Sequence, residues 1–294
     1  MESEFKCYSI KSKSGSVVAS FIPQRGGVMS SLKVSGRELL YRHPEFWDDK
    51  IDDLPGAWPL CFPICARLSH NGEIGAYEHD GVVYKMPIHG VAWWSEWQVV
   101  SIGDSYIELE LKYNDQTLAM YPFKFLVNLR YELTDNELIC RQRYTNNSTE
   151  PMPYYAGFHP YFSVPEDKSL VQINFKPVKR FIYNDDYTQI VGEQDLFELP
   201  CTLDNPDLNE QLTQLGADKM ATLKFADGFE LSINCLGDQD PDMFAFMQLY
   251  TMHNRPFFCV EPWMAPPNSL NNESARLLGV NQTDSARLRL SWNG

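Results

Sequence analysis

Apolar and polar residues alternate with period two along most of this chain. In SYIELELKYN, residues 105–114, Ile107, Leu109, Leu111 and Tyr113 are separated by Glu108, Glu110 and Lys112. In FKFLVNLRYEL, residues 123–133, Phe123, Phe125, Val127, Leu129, Tyr131 and Leu133 alternate mostly with polar residues. Successive side chains of a strand point to opposite faces, so each pattern predicts a half-buried strand. TLKFADGFELSIN places Asp227-Gly228 between two alternating runs, which predicts a hairpin, and RLRLSW near the end predicts another strand. A helical spacing occurs only briefly, as Leu208, Leu212 and Leu215 in DLNEQLTQLG, which predicts a short helix over 207–216. Strands recur along the whole length without a Pro/Ser/Gly-rich linker or an internal repeat. The expectation is an all-β fold, a large antiparallel β-sandwich forming a single domain over 1–294. Large sheets of this kind often bind ligand on a concave face.

Composition narrows the class. Hydrophobic residues make up 44% of 294, with no apolar run of membrane-spanning length, which predicts a globular chain with no membrane partner. The opening MESEFKCYSIKSKSG has neither the apolar centre nor the cleavage site of a signal peptide, so a cytoplasmic location is expected. The sequons at Asn146, Asn147, Asn272 and Asn281 are then incidental. A net charge of -14 argues against nucleic acid, whose binding needs a basic face, and mildly against a highly anionic substrate. Seven scattered cysteines (7, 61, 65, 140, 201, 235, 259) fit buried thiols in a reducing compartment better than a disulfide framework. The one close pair, Cys61 and Cys65 in CFPIC, has no second pair to complete a structural zinc site.

Four segments break the alternation with groups capable of chemistry. LCFPICARLSHNGEI holds Arg67 in an apolar run, and MPIHGVAWWSEW holds His89 before a glycine and a tryptophan-rich stretch. YYAGFHPYF holds His159 among aromatic residues, with Pro160 biasing its backbone toward an extended form. FFCVEPWMAPP runs four apolar residues into Glu261, and a carboxylate in that setting is usually paired, hydrogen-bonded or used. Each taken singly has an ordinary structural role, Glu261 capping a turn or pairing with Arg67, and Trp93, Trp94 and Trp97 reading as core. The remaining histidines, His43, His70, His79 and His253, lie among polar or turn residues and read as solvated.

The strings FPICARL, MPIHG, GFHPYF and FFCVEPW together resemble the aldose 1-epimerase (galactose mutarotase) family, most of all its branch of lactose-operon accessory proteins. They occur in that family's order from residue 62 to residue 263, so the resemblance extends over essentially the whole chain. It implies a large β-sandwich with a sugar cleft on one face, interconverting α and β anomers of an aldose with no cofactor and no metal. It also implies that Glu261 is the essential glutamate, that His159 and His89 are the two site histidines, and that Arg67 contacts sugar hydroxyls. The family's substrate-binding aspartate, which falls between the second histidine and the glutamate, has no motif match here, although Asp204, Asp207, Asp218 and Asp227 occupy that region.

Anomer interconversion explains these residue types. A proton leaves the C1 hydroxyl while another reaches the ring oxygen; the ring opens, the aldehyde rotates and the ring closes from its other face. One acid and one base suffice, each contributing on the order of 10²–10⁴-fold. The expected roles are Glu261 as base, its pKa raised by the apolar approach and lowered by a nearby Arg67, and His159 as acid. His89 and Arg67 would bind oxygens, and Trp263 or an aromatic from Trp93–Trp97 would stack on the sugar. The competing classes are a hexose-6-phosphate 1-epimerase, which needs several basic groups, and a non-catalytic carbohydrate-binding protein. A glycoside hydrolase needs a second carboxylate, and a zinc hydrolase on His89, His159 and Glu261 lacks a short-range ligand pair.

Overall fold

The computed structural model describes residues 5–47 and 56–293. Among them three antiparallel sheets carry the architecture. The largest has nine strands, in the order Gln98–Ile102, Tyr106–Lys112, Phe125–Leu133, Glu137–Asn146, Thr283–Asn293, Glu230–Gly237, Met220–Phe225, Val171–Asn174 and Cys201–Thr202. Its central strands alternate as the sequence predicts. Every second residue of Phe125–Leu133 is buried, from Phe125 through Val127, Leu129 and Tyr131 to Leu133. The hairpin of Met220–Phe225 and Glu230–Gly237 turns through Asp227-Gly228, where Gly228 takes φ +89°.

The second sheet has eight strands. Its main path is Ile190–Gln194, Pro177–Tyr183, Gln211–Leu215, Phe246–Tyr250, Phe257–Trp263, Gly157–Phe158 and Leu60–Cys61, with Tyr161–Ser163 also paired to Phe257–Trp263. A four-stranded sheet, Tyr8–Lys11 to Arg37–Glu38, completes the set. One continuous apolar core joins all three. The Phe62 ring bridges two sheets by packing on Phe125 and Tyr144 at 5.0 and 5.8 Å between centroids. Phe21 of the small sheet meets Tyr131 of the nine-stranded one at 4.8 Å. Burying a large aliphatic or aromatic side chain stabilises by about 1.5–3 kcal/mol, and this core is the main source of stability.

The expected helix over 207–216 does not form. Pro206–Leu208 is a single 3-10 turn, capped by Asn205 accepting from the Asp207 N–H, and Gln211–Leu215 is a strand. That strand lies between Pro177–Tyr183 and Phe246–Tyr250, so its backbone groups pair on both edges and override a leucine spacing only three residues strong. The α-helix that does form is Asp115–Met120, closed at its start by a reciprocal pair of hydrogen bonds between Asn114 and Thr117. No helix among the described residues is long and apolar enough to cross a membrane.

Candidate functional site

The strand Phe257–Trp263 is buried at every residue, because both its faces are covered. Phe258 and Val260 enter the main core. The odd-numbered residues, Phe257, Cys259, Glu261 and Trp263, share the opposite face, as period-two geometry requires. On one side Gln248 stands directly across from Glu261 in the ladder. On the other, the pairs Gly157–Trp263 and Tyr161–Cys259 bracket the break at Pro160, which sets His159 opposite Glu261. The Nε2 of His159 lies 3.4 Å from Oε1 of Glu261. Residues 102 apart in sequence thus meet through strand register alone.

His89 arrives from a loop rather than a strand. It adopts φ +62°, a left-handed conformation costly for a residue with a Cβ. Two reciprocal contacts hold it: its N–H donates to the Ala66 carbonyl at 3.0 Å, and the Ala66 N–H donates to His89 Nδ1 at 3.1 Å. The second contact assigns the imidazole proton to Nε2, because Nδ1 is an acceptor there. Gly90 is dictated by packing: a Cβ at that position would stand 2.3 Å from the Phe62 carbonyl oxygen, and φ is +83°. The His89 ring stacks on Trp93 at 4.6 Å and meets His159 edge-on at 5.1 Å. His159 in turn stacks on Tyr161 at 4.6 Å. The imidazoles are therefore fixed by aromatic walls rather than by hydrogen bonds to carboxylates.

These groups line a cleft of about 240 Å³, together with Arg67, Trp263, Glu210, Gln248, Tyr183, Tyr187 and Tyr250. All five residues singled out from the sequence, Glu261, His159, His89, Arg67 and Trp263, lie in it. Arg67 does not pair with Glu261: among the described residues no carboxylate lies within ion-pair distance of its guanidinium. Its field acts on Glu210 and His89 instead. Of the tryptophan cluster, Trp97 is core and Trp94 is 40% exposed, whereas Trp93 forms the cleft wall. His79, expected to be solvated, is half-buried against Phe123 at 4.8 Å. Cys61 and Cys65 are both buried, as expected, and Cys61 Sγ lies 3.3 Å from His89 Nδ1.

The electrostatics of the cleft are set first by burial. Burial pushes the Glu261 carboxyl well above the ordinary carboxylate range, with Cys61 and Glu210 adding to it and Trp263 opposing. Burial drives His159 down to about 3. His89 is also lowered, first by burial and then by the charges of His159 and Arg67. Glu261 is fully buried, yet neither carboxyl oxygen has a hydrogen-bond partner, and His159 Nδ1 is likewise unpartnered. An orphaned buried polar atom costs about 1–3 kcal/mol, so the site favours any ligand that brings hydroxyl groups to it.

Glu210 is the residue that sequence reasoning passed over. It takes φ +51° just before Gln211–Leu215, and Gln248 donates to its carboxylate at 3.3 Å while accepting from the Tyr183 hydroxyl at 2.9 Å. The four aspartates considered from sequence are elsewhere. Asp207 pairs with Arg180, Asp218 with Lys176 and Asp227 with Arg37, while Asp204 borders a different cavity. Glu210 lies inside the segment read as a helix over 207–216, and its place just before the strand Gln211–Leu215 was hidden by that reading.

Comparison with known proteins agrees with this picture. Residues 6–192 match the profile of a family described as aldose 1-epimerase. The chain is similar to the plasmid-encoded protein LacX of Lactococcus lactis subsp. lactis, at 26% identity over 83% of this chain and 84% of the other. It is also similar to the uncharacterized protein YphB of Escherichia coli K12, at 26% over 70% and 72%. Among solved structures, the Slr1438 protein of Synechocystis sp. PCC 6803 superposes with a TM-score of 0.85 at 24% identity, covering 99% of this chain and 96% of that one. A galactose mutarotase related enzyme from Lactobacillus acidophilus gives 0.82 at 20%, covering 98% of each. The all-β expectation and the mutarotase-like fold are thereby established.

Proposed function

Since the chain belongs to the aldose 1-epimerase family, in its LacX-like branch, we propose that it interconverts the α and β anomers of a free aldose by general acid–base ring opening. The observation that carries this reading is the fully buried Glu261 carboxyl, unpartnered at both oxygens, with an imidazole 3.4 Å away in an open cleft. A hemiacetal offers what that pair lacks: a hydroxyl proton to accept and a ring oxygen to protonate.

The proton inventory refines the roles of the pair. With the carboxyl raised and the imidazole lowered, a proton held by the pair favours Glu261 over His159. The form with Glu261 as base and His159 as acid has the same total charge and is one proton transfer away. Shared between two groups, one proton serves either direction: whichever group holds it protonates the ring oxygen, and the other takes the proton of the C1 hydroxyl. Ring closure on the other face reverses the exchange and restores the pair. The Nε2–H of His89 donates to a sugar oxygen, Arg67 and Glu210 bind hydroxyls as donor and acceptor, and Trp263 packs on the apolar face of the ring. No cofactor enters these steps.

The charge of the cleft supports an uncharged sugar. Among its lining residues Arg67 is the one Arg or Lys, set against Glu210 and Glu261. A phosphate dianion would meet two carboxyls and one cation, whereas converging basic groups are the usual way to hold one. The second carboxylate, Glu210, gives a glycoside hydrolase a specific basis, since such enzymes use two acids. The test is polarimetry on freshly dissolved α-glucose, α-galactose and related aldoses, beside chromogenic glycosides and sugar phosphates. Faster equilibration of at least one free aldose, without glycoside cleavage, supports the proposal. Glycoside cleavage, or no acceleration across the panel, overturns it.

A further inference from the structure

One group on the cleft-side face of Phe257–Trp263 takes no part in the acid–base chemistry. Cys259 is a fully buried free thiol two residues before Glu261, so both side chains leave the strand on one face. The candidate ligand atoms of His159, Cys259 and Glu261 all lie within 4.8 Å of one another. We propose that these three residues form a binding site for a thiophilic divalent cation such as Zn²⁺, and that its occupation blocks sugar turnover.

The spacing has the dimensions of a metal site. Ligands bonded to zinc at about 2.0–2.1 Å in a tetrahedron stand about 3.3 Å apart. The His159 Nε2 and Glu261 Oε1 separation is 3.4 Å, yet the two are not hydrogen-bonded and both carboxyl oxygens lack partners. Edges to sulfur are longer, and about 1 Å of side-chain adjustment brings the thiol into range. A nitrogen, a sulfur and an oxygen are the donor set that borderline-soft Zn²⁺ accepts, whereas Mg²⁺ and Ca²⁺ favour oxygen alone. The fourth position opens on the cleft, where water or a sugar hydroxyl completes the tetrahedron. Binding releases to solvent both the thiol proton and the proton held by the Glu261–His159 pair, and leaves a thiolate and a carboxylate on the ion.

Occupation removes both members of the acid–base pair at once, because the ion takes the lone pairs that accept and deliver protons. Because His159 Nδ1 has no carboxylate or carbonyl to orient it, the support that tightens resident zinc sites is missing. The site is accordingly reversible and inhibitory rather than structural. That its occupation blocks sugar turnover rests on the function proposed above, but the presence of the metal site does not.

Cobalt(II) is the probe that separates the two, since a thiolate bound to it gives an intense near-ultraviolet charge-transfer band independent of turnover. Titration of the full chain with Co²⁺ is expected to develop that band to one equivalent, and Cys259→Ser is expected to abolish it. If the protein is a mutarotase, Zn²⁺ inhibits it, EDTA restores it, and Cys259→Ser raises the inhibitory concentration at least about tenfold, with basal activity kept. Cys259→Ala serves as a second variant should the serine disturb packing. A band in a chain without mutarotase activity sinks the proposed function and leaves the metal site standing. Absence of the band in the wild type, or its persistence in both variants, overturns the site.

Discussion

The protonation state assigned to Glu261 has a measurable consequence for stability, independent of any substrate. The perturbation is Glu261→Gln, nearly isosteric and without charge. An acid whose folded pKa is raised binds its proton in the native state where the unfolded chain has lost it. The wild type therefore loses stability, through this group, as pH rises from the ordinary value of 4.5 to the folded value. Each pH unit in that window amounts to about 1.4 kcal/mol, and full burial leaves solvent no screening role. The glutamine variant has no such group, so titrations that do not interact with Glu261 cancel in the difference between the two proteins. Denaturant unfolding of both at steps from about pH 5 to about pH 8 gives that difference directly. The variant is expected to gain on the wild type as pH rises above the ordinary carboxylate value, with a slope that approaches at most about 1.4 kcal/mol per unit. A constant difference throughout would show that the carboxyl is already ionised in the folded protein, and the shared-proton account would fail.

Other predictions follow from packing and charge. Gly90→Ala forces a Cβ against the Phe62 carbonyl in a left-handed conformation; a stability loss of at least about 1–3 kcal/mol by thermal unfolding is expected, with activity lost as His89 moves. Glu210→Gln keeps the hydrogen bond from Gln248 but removes the charge, so the sugar KM rises several-fold with kcat changed less; the reverse pattern would make Glu210 part of the chemistry. His159→Asn lowers kcat more than it weakens sugar binding, and equal losses in both would reduce His159 to a binding residue.

The strands were legible in the sequence because half-burial writes itself as alternation, as in Phe125–Leu133 and in the hairpin around Asp227-Gly228. Gln211–Leu215 was not, because it is covered on both faces and a strand buried on both sides loses its period. The chance spacing of three leucines then imitated a helix. The four motifs revealed the ionisable groups but not their arrangement, since His159 meets Glu261 only through the register of Phe257–Trp263 with its two neighbours. Arg67 was expected to depress the Glu261 pKa, but its field falls on Glu210 and His89. The depression of His159 to about 3 was equally invisible, because it comes from enclosure by Trp93, Tyr161 and Tyr250, which are brought together by the fold.

The central claim is that Glu261 and His159 pass a proton across the hemiacetal of a bound aldose. Exchange spectroscopy at anomeric equilibrium tests it without any net reaction, by following magnetisation moving between the α and β C1 signals of a labelled sugar. The account predicts exchange that increases in proportion to wild-type protein and falls to the uncatalysed rate with Glu261→Gln, the variant remaining folded. Undiminished exchange in that variant would contradict it.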